Sequence, residues 1–334
     1  MKRVYLTRRL PEEAGQRLAQ AVELEIWPGE VPPPREELVR GLEQADGLLC
    51  LLTDQVDASL MDAAPRLKVI SLCAVGYNNV DVPAATQRGI LVTNTPGVLT
   101  ETTADLAFAL ILAVARRLVE GDRFTRSGAW QAWDPGLLLG QDVHGACLGL
   151  VGLGRIGQAV ARRAQGFAME VIYASTSRKP AVEEALGVRP ATLTELLARA
   201  DFVSLHVPLT AATRGLIGRE ELARMKPTAF LINTSRGEVV DEEALYAALA
   251  ARALHGAGLD VFHREPVDPG HPLLTLDNVV ALPHLGSATG ATRTRMAQLA
   301  VDNLLLALSG RQPPHPVNPE GWGGNPVARS GERP

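Results

Sequence analysis

Three side chains late in the chain have the types and the spacing to reduce a carbonyl next to a carboxylate: Arg236, Glu265 and His284. Each follows a short apolar run that reads as a strand, and the carboxyl ends of parallel strands are where α/β sheets hold their ligands. Arg236 lies in Asn233-Thr234-Ser235-Arg236-Gly237 after Ala229–Ile232. A guanidinium there can grip a carboxylate with two parallel charge-assisted hydrogen bonds and polarise a neighbouring ketone. Glu265, followed by Pro266, comes shortly after Gly258-Leu259-Asp260-Val261-Phe262. His284 stands in Leu282-Pro283-His284-Leu285-Gly286-Ser287 after Val279–Ala281. An imidazole can give a proton as hydride arrives, and a carboxylate paired with it favours the protonated ring near neutral pH.

A hydride needs a carrier, and Leu148-Gly149-Leu150-Val151-Gly152-Leu153-Gly154-Arg155-Ile156-Gly157 supplies the place for one. An apolar strand runs into G-x-G-x-x-G, a helix-compatible segment follows (Gln158–Gln165), and a second strand spans Met169–Ala174. Gly152 permits the tight turn, Gly154 a close approach to a pyrophosphate, and Gly157 the packing of helix on strand. The positive helix end faces the phosphates. In another setting the motif is only a tight turn, but here strand, helix and second strand all stand where NAD(H) or NADP(H) requires them. An NAD site places an acid roughly 20 residues past the glycines for the ribose 2′-hydroxyl. Here the strand ends Tyr173-Ala174-Ser175-Thr176-Ser177-Arg178-Lys179, with no acid. Hydroxyls and two cations suit a 2′-phosphate, so NADP(H) is favoured, with NAD(H) left open and a merely solvated basic turn as the plainer reading.

The elements that must position these groups alternate along the chain. Val4–Thr7, Val22–Trp27, Gly47–Leu52, Lys68–Cys73 and Ile90–Asn94 read as buried strands, with helical segments near Glu12–Gln20, Arg35–Gln44, Ala58–Ala63 and Pro83–Arg88. A second series contains Cys147, Glu170–Ala174, Phe202–His206, Ala229–Asn233, Gly256–Asp260 and Val279–Leu282. Such βαβα alternation implies α/β architecture with parallel sheets covered on both faces. Two doubly wound units are expected: a Rossmann-type cofactor domain over 99–286 and a discontinuous, flavodoxin-like substrate domain over 1–98 plus 287–318. Thr100–Ser127 reads as one long helix capped by Thr100, apolar nearly all round over Ala107–Ala115, and a similar helix spans Gly290–Ser309. Both are expected to connect the units. The Pro- and Gly-rich chain from Pro313 has no periodicity, and 319–334 is expected to be a flexible tail.

Composition narrows the function further. The 334 residues are 46% hydrophobic and carry a net charge of −4, with no basic field for nucleic acid. Lys occurs only at Lys2, Lys68, Lys179 and Lys226, so the basic residues are nearly all Arg, which fits a thermophile or a GC-rich genome. Cys50, Cys73 and Cys147 are isolated in apolar or small-residue runs and read as reduced core thiols. No apolar run reaches the ~20 residues of a membrane span, and Met1-Lys2-Arg3 leads into a strand, so the expectation is a cytoplasmic protein. No His spacing suits a metal, and Ser235 and Ser287 lack the G-x-S-x-G elbow of a serine hydrolase. His206 reads as a wall of the cofactor cleft or a core residue; His144, His255, His263, His271 and His315 read as surface or loop residues.

Taken in order, Thr234-Ser235-Arg236-Gly237, Gly258-Leu259-Asp260-Val261-Phe262, Glu265-Pro266 and Pro283-His284-Leu285-Gly286-Ser287-Ala288-Thr289 resemble the D-isomer-specific 2-hydroxyacid dehydrogenases, most closely the glyoxylate/hydroxypyruvate reductases. Val75-Gly76-Tyr77-Asn78-Asn79-Val80-Asp81, Asn94-Thr95-Pro96-Gly97, Thr102-Thr103-Ala104-Asp105 and Gly121-Asp122-Arg123-Phe124 extend the resemblance over about residues 3–318. It implies Arg236 as catalytic arginine, Glu265 as acid partner and His284 as acid/base. It also implies backbone amides at Val75 and Gly76 on the substrate carboxylate, Thr103 near the cofactor phosphates and Asp260 beside the nicotinamide amide. The remaining cofactor contacts would come from the glycine turn (Gly152, Leu153, Gly154, Arg155, Ile156, Gly157), from Ser175, Thr176, Ser177, Arg178 and Lys179, and from Val207, Pro208, Thr213, Thr234, Ser235, Arg236, His284 and Gly286. Substrate would bind between the domains, with closure excluding water. Leu52, near the expected cleft, is a candidate pocket lining. Trp133, with Trp130 in a loop after the long helix, lies where similar reductases form a homodimer, and so is a candidate specificity residue; simple packing is the competing reading. Other substrates stay open (D-lactate, 3-phosphoglycerate, phosphite), although Leu49–Asp54 and Ser71–Asn79 offer no extra cation for a phosphorylated one. A dinucleotide-sensing corepressor is the alternative of another class.

Overall fold

The computed structural model describes residues 1–322, which divide into two compact units: Met1–Leu99 with the chain from Ala288 onward, and Thr100–Ser287. In the first unit β1 (Arg3–Leu6), α1 (Glu12–Ala21), β2 (Glu23–Ile26), α2 (Arg35–Leu42), β3 (Gly47–Cys50), α3 (Ala58–Asp62), β4 (Val69–Leu72), α4 (Val82–Gln87) and β5 (Leu91–Thr93) alternate. The sheet is wholly parallel in the order β2-β1-β3-β4-β5, the flavodoxin-like arrangement. Every residue of β3 and β4 is buried, which is why these strands read as continuous apolar runs and not as alternating ones. The long helix Gly290–Leu308 covers one face with α1 and is anchored by the Ser71 hydroxyl, which donates to the Ala300 carbonyl at 2.8 Å.

The second unit opens with α5 (Thr100–Ala115) and α6 (Leu118–Arg126). It continues with β6 (Cys147–Val151), α7 (Arg155–Gln165), β7 (Glu170–Ala174), α8 (Pro180–Leu186), β8 (Arg189–Pro190) and α9 (Leu193–Arg199). Next come β9 (Phe202–Leu205), α10 (Arg219–Arg224), β10 (Phe230–Asn233), α11 (Glu242–Ala250), β11 (Gly256–Leu259) and β12 (Val279–Ala281). Its seven strands are all parallel in the order β12-β11-β10-β9-β6-β7-β8. The order reverses between β6 and β9, the switch point at which doubly wound sheets bind dinucleotides. Apolar α5 lies against the sheet, its Leu110 so near Gly258 of β11 that a Cβ there would meet the Leu110 Cβ at 3.1 Å.

Two expectations need correction. Thr100–Ser127 is not one helix: Arg117 takes a left-handed φ of 51° between α5 and α6. The Gln141 amide takes the Ala115 carbonyl at 2.8 Å, and Arg117 Nε and Nη2 both donate to Glu120 at 2.8 Å. Thr100 is the first helical residue. The chain from Pro313 is also not a loose arm as far as Trp322. Val317 N donates to Val92 O at 2.8 Å, buried Asn318 accepts from Val92 N at 2.7 Å, and Trp322 joins the core of the first unit. The rest of the expected tail, 323–334, lies outside the described residues. All three cysteines are free thiols; Cys50 is buried, and burial pushes Cys73 up to about 12 and Cys147 up to about 11. Among the described residues no helix is long and apolar enough to cross a membrane, and no group of His, Cys, Asp and Glu could hold a metal ion.

Candidate active site

At the carboxyl ends of β10, β11 and β12, three loops are shaped by side chains bonded to backbone. After β10, Asn233 is buried and accepts from the Ser235 amide (3.0 Å) and hydroxyl (2.9 Å) through Oδ1, while its Nδ2 donates to the Arg236 carbonyl at 2.8 Å. Arg236 Nη1 donates to Ser235 O at 2.7 Å. Burial weakens the Arg236 proton affinity, and the Glu265 and Glu238 carboxylates oppose that loss. Gly237 fits only because it lacks a side chain: a Cβ would lie 2.0 Å from the Phe262 carbonyl carbon. The Arg236 loop thus sits backbone to backbone against the loop that carries Glu265.

After β11, Glu265 divides its two oxygens. Oε1 accepts from Phe262 N at 3.0 Å, and Oε2 meets His284 Nδ1 at 2.6 Å. Burial alone would raise this carboxyl, but the bond and charge of His284, the Phe262 amide and the Arg236 charge outweigh it and hold it below the usual range. Its loop is also held by Glu242 of α11, which accepts from His263 N at 2.8 Å and lies 3.3 Å from His271 Nε2. After β12, His284 has a left-handed φ of 55°, costly for a residue with a Cβ and tolerated only where neighbours enforce it. The enforcing group is Asp260. Its carbonyl accepts from His284 N at 3.0 Å, and its two carboxylate oxygens accept from Leu285 N (2.6 Å) and Gly286 N (2.8 Å). Burial raises the Asp260 carboxyl, against the pull of those amides and of His284. Thr103 of α5 completes the clasp, its hydroxyl donating to Gly286 O at 2.9 Å.

The glycine turn meets the requirements of a pyrophosphate. Gly152 has φ 98°, and a Cβ there would meet the His206 carbonyl oxygen at 2.7 Å; one on Gly157 would lie 2.3 Å from Gly152 O. Gly154, the cap of α7, has open space where its Cβ would be, and no side chain caps that helix. Leu153 and Ile156 belong to the core, so any cofactor contact from them is a backbone one, whereas Arg155 is exposed. Thr234 Oγ1 is buried with no hydrogen-bond partner. Thr213 Oγ1 donates to Pro208 O at 2.6 Å and accepts from Thr210 N, closing the turn that follows Val207. His206 lines the switch point with Nε2 2.9 Å from Ser204 Oγ, and burial pulls its ring down to about 4. Ser175, Thr176, Ser177 and Arg178 are exposed and Lys179 half-buried beyond β7.

In the first unit, the loops after β3 and β4 are tied together. Asn79 Nδ2 donates to Leu51 O (3.1 Å) and Asp54 O (2.7 Å), and buried Asp54 accepts from Thr7 Oγ1 (2.5 Å) and Leu51 N (2.7 Å). Burial raises the Asp54 carboxyl, against these bonds. Leu52 is half-buried on the first loop, and Val75 O on the second accepts from Asn94 Nδ2 at 2.7 Å, next to Gly76. Trp130 and Trp133 are 56% and 80% exposed, so neither packs into the core of its unit. Sequence reasoning missed Asn233, Gly237 and Glu242 as loop-shaping groups; Asn233 and Gly237 flank Thr234-Ser235-Arg236 directly, the one signal that pointed to them. His271, read as a surface or loop residue, lies in a loop, half-buried on Glu242.

Known proteins resemble this chain over most of its length. The family model described as "D-isomer specific 2-hydroxyacid dehydrogenase, NAD binding domain" matches residues 108–286. The glyoxylate reductase of Korarchaeum cryptofilum is 52% identical over 319 residues, which are 95% of this chain and 96% of that one. A crystal structure of a Thermus thermophilus protein superposes with a TM-score of 0.89 at 53% identity, covering 94% of this chain and 99% of that one. The NADPH-dependent glyoxylate/hydroxypyruvate reductase of Sinorhizobium meliloti, in complex with NADP and malonate, superposes with a TM-score of 0.83 at 34% identity, covering 96% and 98%. The chain is therefore a nicotinamide-dinucleotide-dependent oxidoreductase, and it belongs to the D-isomer-specific 2-hydroxyacid dehydrogenases.

Proposed function

We propose that the chain reduces glyoxylate to glycolate and hydroxypyruvate to D-glycerate, with NADPH preferred over NADH. The observation that carries the reading is the 2.6 Å contact between His284 Nδ1 and Glu265 Oε2, which presents the opposite ring nitrogen as a proton donor. The bound dinucleotide supplies the hydride. The turn shaped by Gly152 and Gly157 would receive its pyrophosphate at Gly154, Thr103, Val207, Pro208, Thr213, Thr234, Ser235 and Gly286 would hold the rest of it, and Asp260 would stand beside the nicotinamide amide. The Arg236 guanidinium holds the substrate carboxylate and polarises the ketone. His284 protonates the nascent alkoxide, and Glu265, bonded to Nδ1, fixes the orientation of the ring. The names of the relatives support glyoxylate as substrate. Ser175, Thr176, Ser177, Arg178 and Lys179, none of them acidic, support NADPH.

Loss of absorbance at 340 nm with glyoxylate or hydroxypyruvate, run in parallel with NADPH and NADH, tests the assignment. Faster turnover with NADPH is the expected result. Turnover with NADH alone would overturn the cofactor preference, and none with either substrate would shift the reading to another 2-keto acid, to phosphite or to dinucleotide sensing. A cytoplasmic homodimer completes the proposal. Exposed Leu118, Trp130, Trp133 and Leu139 form an apolar set in the second unit that a second copy would cover, with Trp133 closing the neighbour's pocket.

A further inference from the structure

The basic segment after β7 is not as basic as its sequence. Glu183, in the first turn of α8, faces back onto it with only 13% of its side chain exposed. Tyr173 Oη donates to Glu183 Oε1 at 2.6 Å and accepts from Lys179 N at 3.0 Å, so the carboxylate is tied to the strand itself. Arg178 engages the same carboxylate side-on, Nε to Oε1 at 3.2 Å and Nη2 to Oε2. Hydrogen bonds from Arg178 and Tyr173 hold the Glu183 carboxyl down to about 2, so it is ionised at any working pH. Tyr173 and Arg178 also line a cavity of about 300 Å3, together with Ser175, Ser177 and Glu195. The Arg178 guanidinium is thus already paired with the Glu183 carboxylate.

We propose that Glu183 is a specificity-determining residue that weakens discrimination for a 2′-phosphorylated nucleotide by neutralising Arg178, keeping the site open to NADH as well as NADPH. The inference rests on the cofactor reading above. It differs from the usual acidic discriminator: Glu183 has both oxygens engaged by protein donors, so it acts through charge and not as an acceptor for the ribose hydroxyl. A 2′-phosphate must share the guanidinium with an anion already bonded to two of its nitrogens, and like charges at such separation oppose each other. Glu183→Gln keeps the shape and the acceptor for Tyr173 and removes the charge.

Calorimetric titration with 2′,5′-ADP and with 5′-AMP, which lacks the phosphate, reads the effect without any turnover. The ratio of the two affinities should shift toward 2′,5′-ADP by about tenfold in Glu183→Gln at low salt, and the gain should shrink as salt is raised. The double variant Glu183→Gln/Arg178→Gln should show no such gain, because the effect runs through Arg178. An unchanged ratio would overturn the proposal, and a ratio shifted toward 5′-AMP would show instead that Glu183 positions Arg178 for the phosphate. If the unsubstituted protein bound neither nucleotide, the cofactor reading would itself fail and take the proposal with it. If it bound both and only the ratio failed to move, the cofactor reading would stand.

Discussion

His284 combines the three constraints that make it the residue most exposed to test: a left-handed backbone, a carboxylate partner at 2.6 Å and a loop clasped by Asp260. Replacing Glu265 by Gln keeps the shape of the side chain but removes the charge beside the ring, so kcat should fall by about tenfold or more with KM little changed; an unchanged kcat would show that the charge plays no part in the proton transfer. His206 makes a separate claim about stability. Its folded value of about 4 lies below the usual 6.5, so the unfolded chain binds a proton that the folded chain refuses. Its contribution is therefore fully present above about pH 6.5 and is lost as pH falls toward 4. In thermal melts across that window, His206→Gln should flatten the decline in Tm, and a decline as steep as in the parent would contradict a ring held neutral by the fold. Arg236, Glu265 and His284 could be singled out because their side chains are of the types that do chemistry and each follows a strand. Asn233 and Asp260 could not be read in full: each is a polar residue at a strand end, which suggests a ligand, yet their hydrogen bonds go to loop amides and carbonyls that no residue pattern announces.

At the scale of elements, the strands were legible wherever burial on both faces left a continuous apolar run, as in β3, β4 and β10. Short β8, Arg189–Pro190, has no such run and is exposed, and it escaped notice. The α5–α6 break was hidden because its cause is distant: segment 140–141 returns to cap Ala115. The chain from Pro313 was misread because it is held by single polar groups with no periodicity. Asn318→Ala should lower stability by about 1–3 kcal/mol, since it strips Val92 N of a buried acceptor and Ile90 O of a donor; an unchanged Tm would refute that anchoring. The glycine turn separates folding from binding. Gly157→Ala drives a methyl into the Gly152 carbonyl and should lower both Tm and dinucleotide affinity. Gly154→Ala meets open space and should keep Tm while weakening the dinucleotide, as read by nucleotide fluorescence. Equal affinity for the Gly154 variant and its parent would reject the pyrophosphate position.

At the scale of the whole molecule, two parallel sheets with different strand orders share one chain, and the interruption of the first unit by the second was legible because strand series and connecting helices recur in order. What the residues could not rank is how the exposed apolar set around Trp130 and Trp133 is used. Light scattering should give the mass of a dimer, and Trp133→Ala should raise KM for the keto acid more than it lowers kcat; unchanged kinetics would remove Trp133 from the substrate pocket. The central claim is that this chain moves a proton through His284 during reduction of glyoxylate. The most direct measurement is kcat for glyoxylate with NADPH at 340 nm, in the parent and in His284→Ala, with NADPH affinity measured beside it to confirm a loaded site. The account predicts a fall of roughly 10²–10⁴ in kcat, the usual share of general acid catalysis. A variant that keeps the full kcat would contradict it.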